Sequence, residues 1–143
     1  MSIQAILYSK GTSVETIAPS ASIKTAAQTL RDKNIAALVV EAQGKVQGVI
    51  SEREIVHALA EKGGRSCELT VGEVMARNVV TIAPEDSLRR AMSLMTRHRT
   101  RHLLVKRDGA VTGIVSIGDV IKHRLEDLEL TSNTRREVYA AAA

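Results

Sequence analysis

Two stretches of this chain carry side chains whose types and spacing could do chemistry: GVISEREI at residues 48 to 55 and GIVSIGDV at residues 113 to 120. Each shows a glycine, two β-branched residues, a serine, and an acid three places after the serine. At a helix start, Ser-x-x-Glu is the pattern of a capping box, in which the hydroxyl bonds the N3 amide and the acid reaches back to the N-cap amide. The same helix start presents unpaired N–H groups and partial positive charge, a seat for phosphate. A carboxylate one turn in can accept hydrogen bonds from the adjacent hydroxyls of a ribose. On this reading Ser51 and Ser116 offer hydroxyls to a phosphate, and Glu54 and Asp119 hold a sugar. Gly48 and Gly113 would let a ligand approach the backbone closely.

The elements that must position these groups come in duplicate. TIAP stands at residues 16 to 19 and again at 81 to 84, and a shift of 65 residues lays Thr16–Val56 on Thr81–Ile121 without a gap. The identities are Thr16, Ile17, Ala18, Pro19, Ser22, Ala26, Leu38, Val40, Gly44, Val46, Gly48 and Ser51, where about three would arise by chance in average composition. Duplicated units keep core and turn positions in step even as surfaces drift. After each TIAP, apolar residues recur at helical spacing: Ile23, Ala26, Ala27 and Leu30, then Leu88, Ala91, Met92 and Met95. Two β-rich runs follow in each copy, with turns at Gln43-Gly44 and Asp108-Gly109, the second a strong hairpin signal. A second helix is expected over about 51–62 and 116–129, so the unit reads β-α-β-β-α. The first dozen residues are expected to add a strand, and a short helical piece is expected near Val71 to Met75.

Composition bounds the rest. A chain of 143 residues, 44% hydrophobic and 25% charged, is one domain's worth of sequence. Each copy of roughly 60 residues is marginal alone, so the copies are expected to pack on each other with a cleft between them. No run approaches the roughly 18 apolar residues of a membrane span, and the start, MSIQAILYSKG, lacks signal-peptide blocks, which implies a cytoplasmic location. The single Cys67 cannot form an internal disulfide. His57, His98, His102 and His123 show no metal-ligand spacing with it or with each other, and no nucleophile and base pair stands out, so neither a metal site nor an enzyme is expected. The net charge of +4 leans mildly toward a phosphate-bearing partner.

TIAP, amphipathic helix, hairpin and G-I-V-S-x-x-D before a helix, twice in tandem, resemble a pair of cystathionine β-synthase (CBS) domains, a Bateman module. The likeness spans about residues 14 to 130. It implies an α/β (α+β) fold of two tandem repeats related by a pseudo-two-fold axis. It also implies a stand-alone, non-catalytic regulatory module that senses adenine nucleotides, AMP ahead of ATP or NAD. Ser116 and Asp119 would contact phosphate and ribose. By position, Thr16, Ile17, Ala36 and Ala37 in the first copy, and Thr81, Ile82, Arg101 and His102 in the second, would flank the base. Glu54 departs from the usual Asp by one methylene, which weakens or displaces its ribose contact. The resemblance further implies a homodimer that signals to a separate regulated protein.

In TRHRTRH, residues 96 to 102, Arg99 and Arg101 could grip a phosphate with paired donors, or simply complement a helix end as solvated cations. Arg53 is a similar, weaker candidate. The same basic segment, residues 97 to 107, could serve nucleic acid, a reading disfavoured by the absence of aromatic stacking residues there. A ligand-free oligomerisation scaffold is the main alternative, because a capping box explains Ser and acid without any guest. The expected boundaries are an N-terminal segment 1–13, repeats at 14–66 and 79–130, a linker at 67–78 and a tail at 131–143 whose last alanines carry no functional argument.

Overall fold

The computed structural model describes residues 1–142; Ala143, the last of the terminal alanines, lies outside them. The element order is α1 (Ile3–Lys10), β1 (Thr16–Ile17), α2 (Ile23–Lys33), β2 (Ala37–Ala42), β3 (Lys45–Ser51), α3 (Glu52–Lys62), a 3-10 turn (Gly63–Glu68), α4 (Val71–Val74), β4 (Thr81–Ile82), α5 (Leu88–His98), β5 (His102–Arg107), β6 (Ala110–Ser116) and α6 (Ile117–Ala142). The β-α-β-β-α reading of each repeat therefore holds. The chain divides into two compact units, one of residues 13–79 and one joining residues 1–12 to residue 80 onward.

In the unit of residues 13–79, β1 pairs parallel to β2 and β2 antiparallel to β3. The hairpin turns at Gln43 and Gly44, both with positive φ (53° and 74°), the primed turn that suits strand twist. Ser22 caps α2 by accepting the Thr25 N–H at 3.1 Å, and Asn34 ends it in the left-handed region. The apolar stripe of α2, with Ile23, Ala26 and Leu30, packs on Leu38, Val40 and Ile50, whereas Ala27 is exposed. Val71 and Met75 complete this core, so the segment after the 3-10 turn does more than link the repeats.

The second unit repeats the plan with β4, β5 and β6. Asp108 and Gly109 turn its hairpin with positive φ, Ser87 caps α5 and Arg99 ends it in the left-handed region. Its core holds Leu88, Ala91, Leu94 and Met95 against Leu103, Val105, Val115 and Val120. The chain's own start completes it, as a helix and not the expected strand: Ile3, Ile6 and Leu7 of α1 are buried there. Docking is the same in both units. The amides of Ile3 and Gln4 donate to the carbonyls of Asp86 and Pro84, as those of Val71 and Gly72 donate to Ala21 and Pro19. A shift of 68 residues thus relates α1 to α4, three more than the shift that relates the repeats.

The last helix also departs from expectation, continuing from Ile117 to Ala142 through residues read as a polar tail. Among the described residues no helix is long and apolar enough to cross a membrane.

Candidate functional site

Strand register brings the motif residues together within each repeat. Ala37 lies opposite Ser51, and His102 opposite Ser116, at the end of each hairpin where the chain turns into its second helix. The carbonyl one residue earlier secures that turn: Ala36 accepts the Glu52 N–H at 3.2 Å and Arg101 accepts the Ile117 N–H at 2.8 Å. Ala37 is buried, Ala36 and His102 are half-buried and Arg101 is exposed.

Both Ser-x-x-acid motifs are closed capping boxes. Glu54 Oε1 accepts the Ser51 amide at 2.9 Å and the Ser51 hydroxyl at 2.8 Å, while the hydroxyl accepts the Arg53 amide at 3.3 Å. Asp119 Oδ2 accepts the Ser116 amide at 2.8 Å, and the Ser116 hydroxyl accepts the Asp119 amide at 3.1 Å. The extra methylene of Glu54 lets its carboxylate reach the serine hydroxyl as well as the amide. Asp119, one carbon shorter, bonds the amide.

The remaining sequence candidates occupy varied places. Thr16 and Ile17 form β1 opposite Val39 and Val40, and Thr81 and Ile82 form β4 opposite Leu104 and Val105. Thr16 and Thr81 are exposed, Ile17 packs against the core and Ile82 is buried in it, so Ile82 presents little but backbone to anything beside β4. Arg53 lies exposed in the first turn of α3, and Arg99 is the exposed C-cap of α5, two residues before Arg101.

Gly48 and Gly113 differ in function from the expected close approach of a ligand. A Cβ on Gly48 would collide with the Ala76 carbonyl oxygen and come 3.1 Å from Met75 Sδ. On Gly113 it would stand 2.7 Å from Leu7 Cδ2. Both glycines make room for the docked segment that completes their core.

One participant escapes sequence reasoning. Lys10, the last residue of α1, donates from Nζ to Asp119 Oδ2 at 2.8 Å and to the Ile114 carbonyl at 3.0 Å. Burial by itself would raise the Asp119 carboxyl. The hydrogen bonds from Lys10 and Ser116 and the charge of Lys10 outweigh burial, and the group is held below its ordinary value. The signal that could have found Lys10 is the faint match of SIQAIL to TVGEVM, which predicts that α1 docks on the second repeat.

With this geometry in place, comparison with known proteins is specific. The family model described as "CBS domain" matches residues 11–61 and 71–126. A mitochondrial CBS domain-containing protein of Arabidopsis thaliana is 37% identical over 102 residues, covering 68% of this chain but only 50% of that protein, so the match spans half the relative's length. The crystal structure of a CBS-domain-containing protein of Agrobacterium tumefaciens is 40% identical, with a TM-score of 0.84, covering 86% of this chain and 92% of that one. A CBS domain pair solved in complex with 5'-methylthioadenosine and S-adenosyl-L-methionine is 26% identical, with a TM-score of 0.78, covering 89% of this chain and 98% of that one. Duplicated α/β units, duplicated helix-start motifs and these matches agree: the chain belongs to the CBS domain family, as a tandem pair.

Proposed function

We propose that this chain is a non-catalytic regulatory module that binds an adenine nucleotide, AMP ahead of ATP or NAD, and passes its occupancy to a separate protein. The observation that carries the reading is the second repeat's motif: a hydroxyl, a partly exposed carboxylate and a helix N-terminus stand together at Ser116 and Asp119. The solved relative with two adenosine-containing ligands supports the ligand class. In this reading Asp119 exchanges its present partners for the ribose hydroxyls, Ser116 and Arg101 face the phosphate, and Thr81 and His102 flank the base. In the first repeat Ser51 and Glu54 take the equivalent roles, with Thr16, Ile17, Ala36 and Ala37 beside the base. Glu54 already holds both the amide and the hydroxyl of Ser51, which makes it the weaker ribose partner.

A second copy of the chain is the proposed structural partner. Ile117, Ile121, Leu125 and Leu128 are all exposed along α6 at helical spacing, an apolar stripe that association would cover. Sedimentation that finds only monomer at high concentration removes this part of the reading.

The closed capping boxes favour one alternative, a scaffold that binds nothing, because they account for serine and acid without a guest. Thermal unfolding with AMP, ATP and NAD separates the two. A ligand at a hundred times its dissociation constant stabilises the native state by about 2.7 kcal/mol. That gain is expected for at least one nucleotide and mostly lost in Asp119→Ala. No stabilisation by any of the three leaves the scaffold.

A further inference from the structure

Lys10 reaches the acid of the second repeat's Ser-x-x-Asp motif. Its ammonium is 2.8 Å from Asp119 Oδ2, and the two side chains keep only 33% and 24% of their surface exposed. The same Oδ2 accepts the Ser116 amide, so one carboxylate oxygen carries both bonds. The lysine is not a loose surface cation. It lies one helical turn beyond Leu7, which is buried against the space left by Gly113 and fixes the end of α1 on β6. In the first repeat the strand position equivalent to Ile114 is Val49, whose partner is main chain: Ala76 and Val49 exchange N–H···O bonds of 2.9 and 3.0 Å. A movable cation therefore stands in the second repeat where the first repeat has backbone.

We propose that Lys10 makes the second repeat selective for adenosine compounds bearing an anionic 5' group. The inference rests on the nucleotide-binding reading above and adds a residue and a selection rule to it. A ribose diol that engages Asp119 displaces the ammonium from Oδ2. A neutral ligand leaves that cation without its carboxylate, with only the Ile114 carbonyl as a partner. A 5' phosphate gives it a new anionic partner within the reach of a four-carbon stem, so the lysine passes from carboxylate to phosphate as the ligand enters. Charge-assisted hydrogen bonds are about twice as strong as neutral ones, which is the source of the selection.

The test is titration calorimetry with AMP and 5'-methylthioadenosine, which share adenosine and differ at the 5' position. It is done on the full chain carrying Glu54→Gln, which removes the first repeat's carboxylate while Gln still closes the capping box. AMP is expected to bind the more tightly. Lys10→Gln is expected to narrow that preference about tenfold, ~1.4 kcal/mol, and Lys10→Arg to preserve it. A preference unchanged by Lys10→Gln, or one that widens, overturns the role of Lys10 while nucleotide binding itself stands. Failure of both compounds to bind the chain with Lys10 intact overturns the binding reading and this inference together.

Discussion

Beside Val49 the first repeat places main chain, with Ala76 giving and taking a hydrogen bond; beside Ile114 the second repeat places the ammonium of Lys10, which reaches on to Asp119. The segments responsible start alike, with matched amide-to-carbonyl bonds, and then part. After Val74 the chain leaves the helix and pairs with Val49 as an isolated bridge, whereas α1 stays helical to Lys10. A backbone partner is the same whatever residue occupies the position. A side-chain partner can be substituted, displaced or discharged. Duplication has thus kept the frame of the two repeats while making the surroundings of one acidic group adjustable.

The sharpest way to break this comparison is to fill the two glycines. Gly48→Ala drives a methyl into main chain that is itself bonded to the neighbouring strand residue, and is expected to destabilise the fold by about 3 kcal/mol. Gly113→Ala meets only the far end of Leu7, which can move, and about 1 kcal/mol is expected. Urea unfolding measures both. Equal losses would show that the two docked segments are equally rigid. Adding Leu7→Ala to Gly113→Ala should cancel part of the combined loss, since the residues share one space.

Ser51→Ala and Ser116→Ala test whether the helix starts are alike. Each hydroxyl accepts an amide of the first turn, and loss of such a cap costs about 1 kcal/mol. Similar falls in unfolding free energy are expected. A change confined to one repeat would mean that only its serine is structural.

The smallest effect is the most specific to the second repeat. Because Asp119 has a lower proton affinity in the folded state, the unfolded chain takes up its proton first as the solution is acidified. The stabilisation is present above the ordinary carboxyl range and declines as pH falls below about 4. The pair is partly exposed, so less than about 1 kcal/mol is expected. Lys10→Gln should flatten this part of the pH profile. A profile indifferent to Lys10 would show that Ser116 alone depresses the group.

Much of the molecule is legible in its sequence. The repeats, the Gln43-Gly44 and Asp108-Gly109 turns and both capping boxes are local patterns, and local patterns survive translation into structure. Four features were not legible, for physical reasons. The first dozen residues have little helical periodicity, and α1 gains its stability by docking on residues more than 70 positions away, as at Pro84 and Asp86. Gly48 and Gly113 read as room for a ligand because the segments that fill the space, Ala76 and Leu7, come from other parts of the chain. The end of α6 was missed because the apolar stripe fades after Leu128, while helix continues through residues that form it without burial. Lys10 belongs to the same class: 109 positions separate it from Asp119.

The length of α6 gives its first turn unusual leverage. Twenty-six residues make a rod about 39 Å long, and every residue from Leu128 to Ala141 is exposed. A tilt of only about 5° at Ser116 would sweep the far end of such an arm through roughly 3 Å. A small change at one hydroxyl and one carboxylate would thus be magnified along the exposed helix.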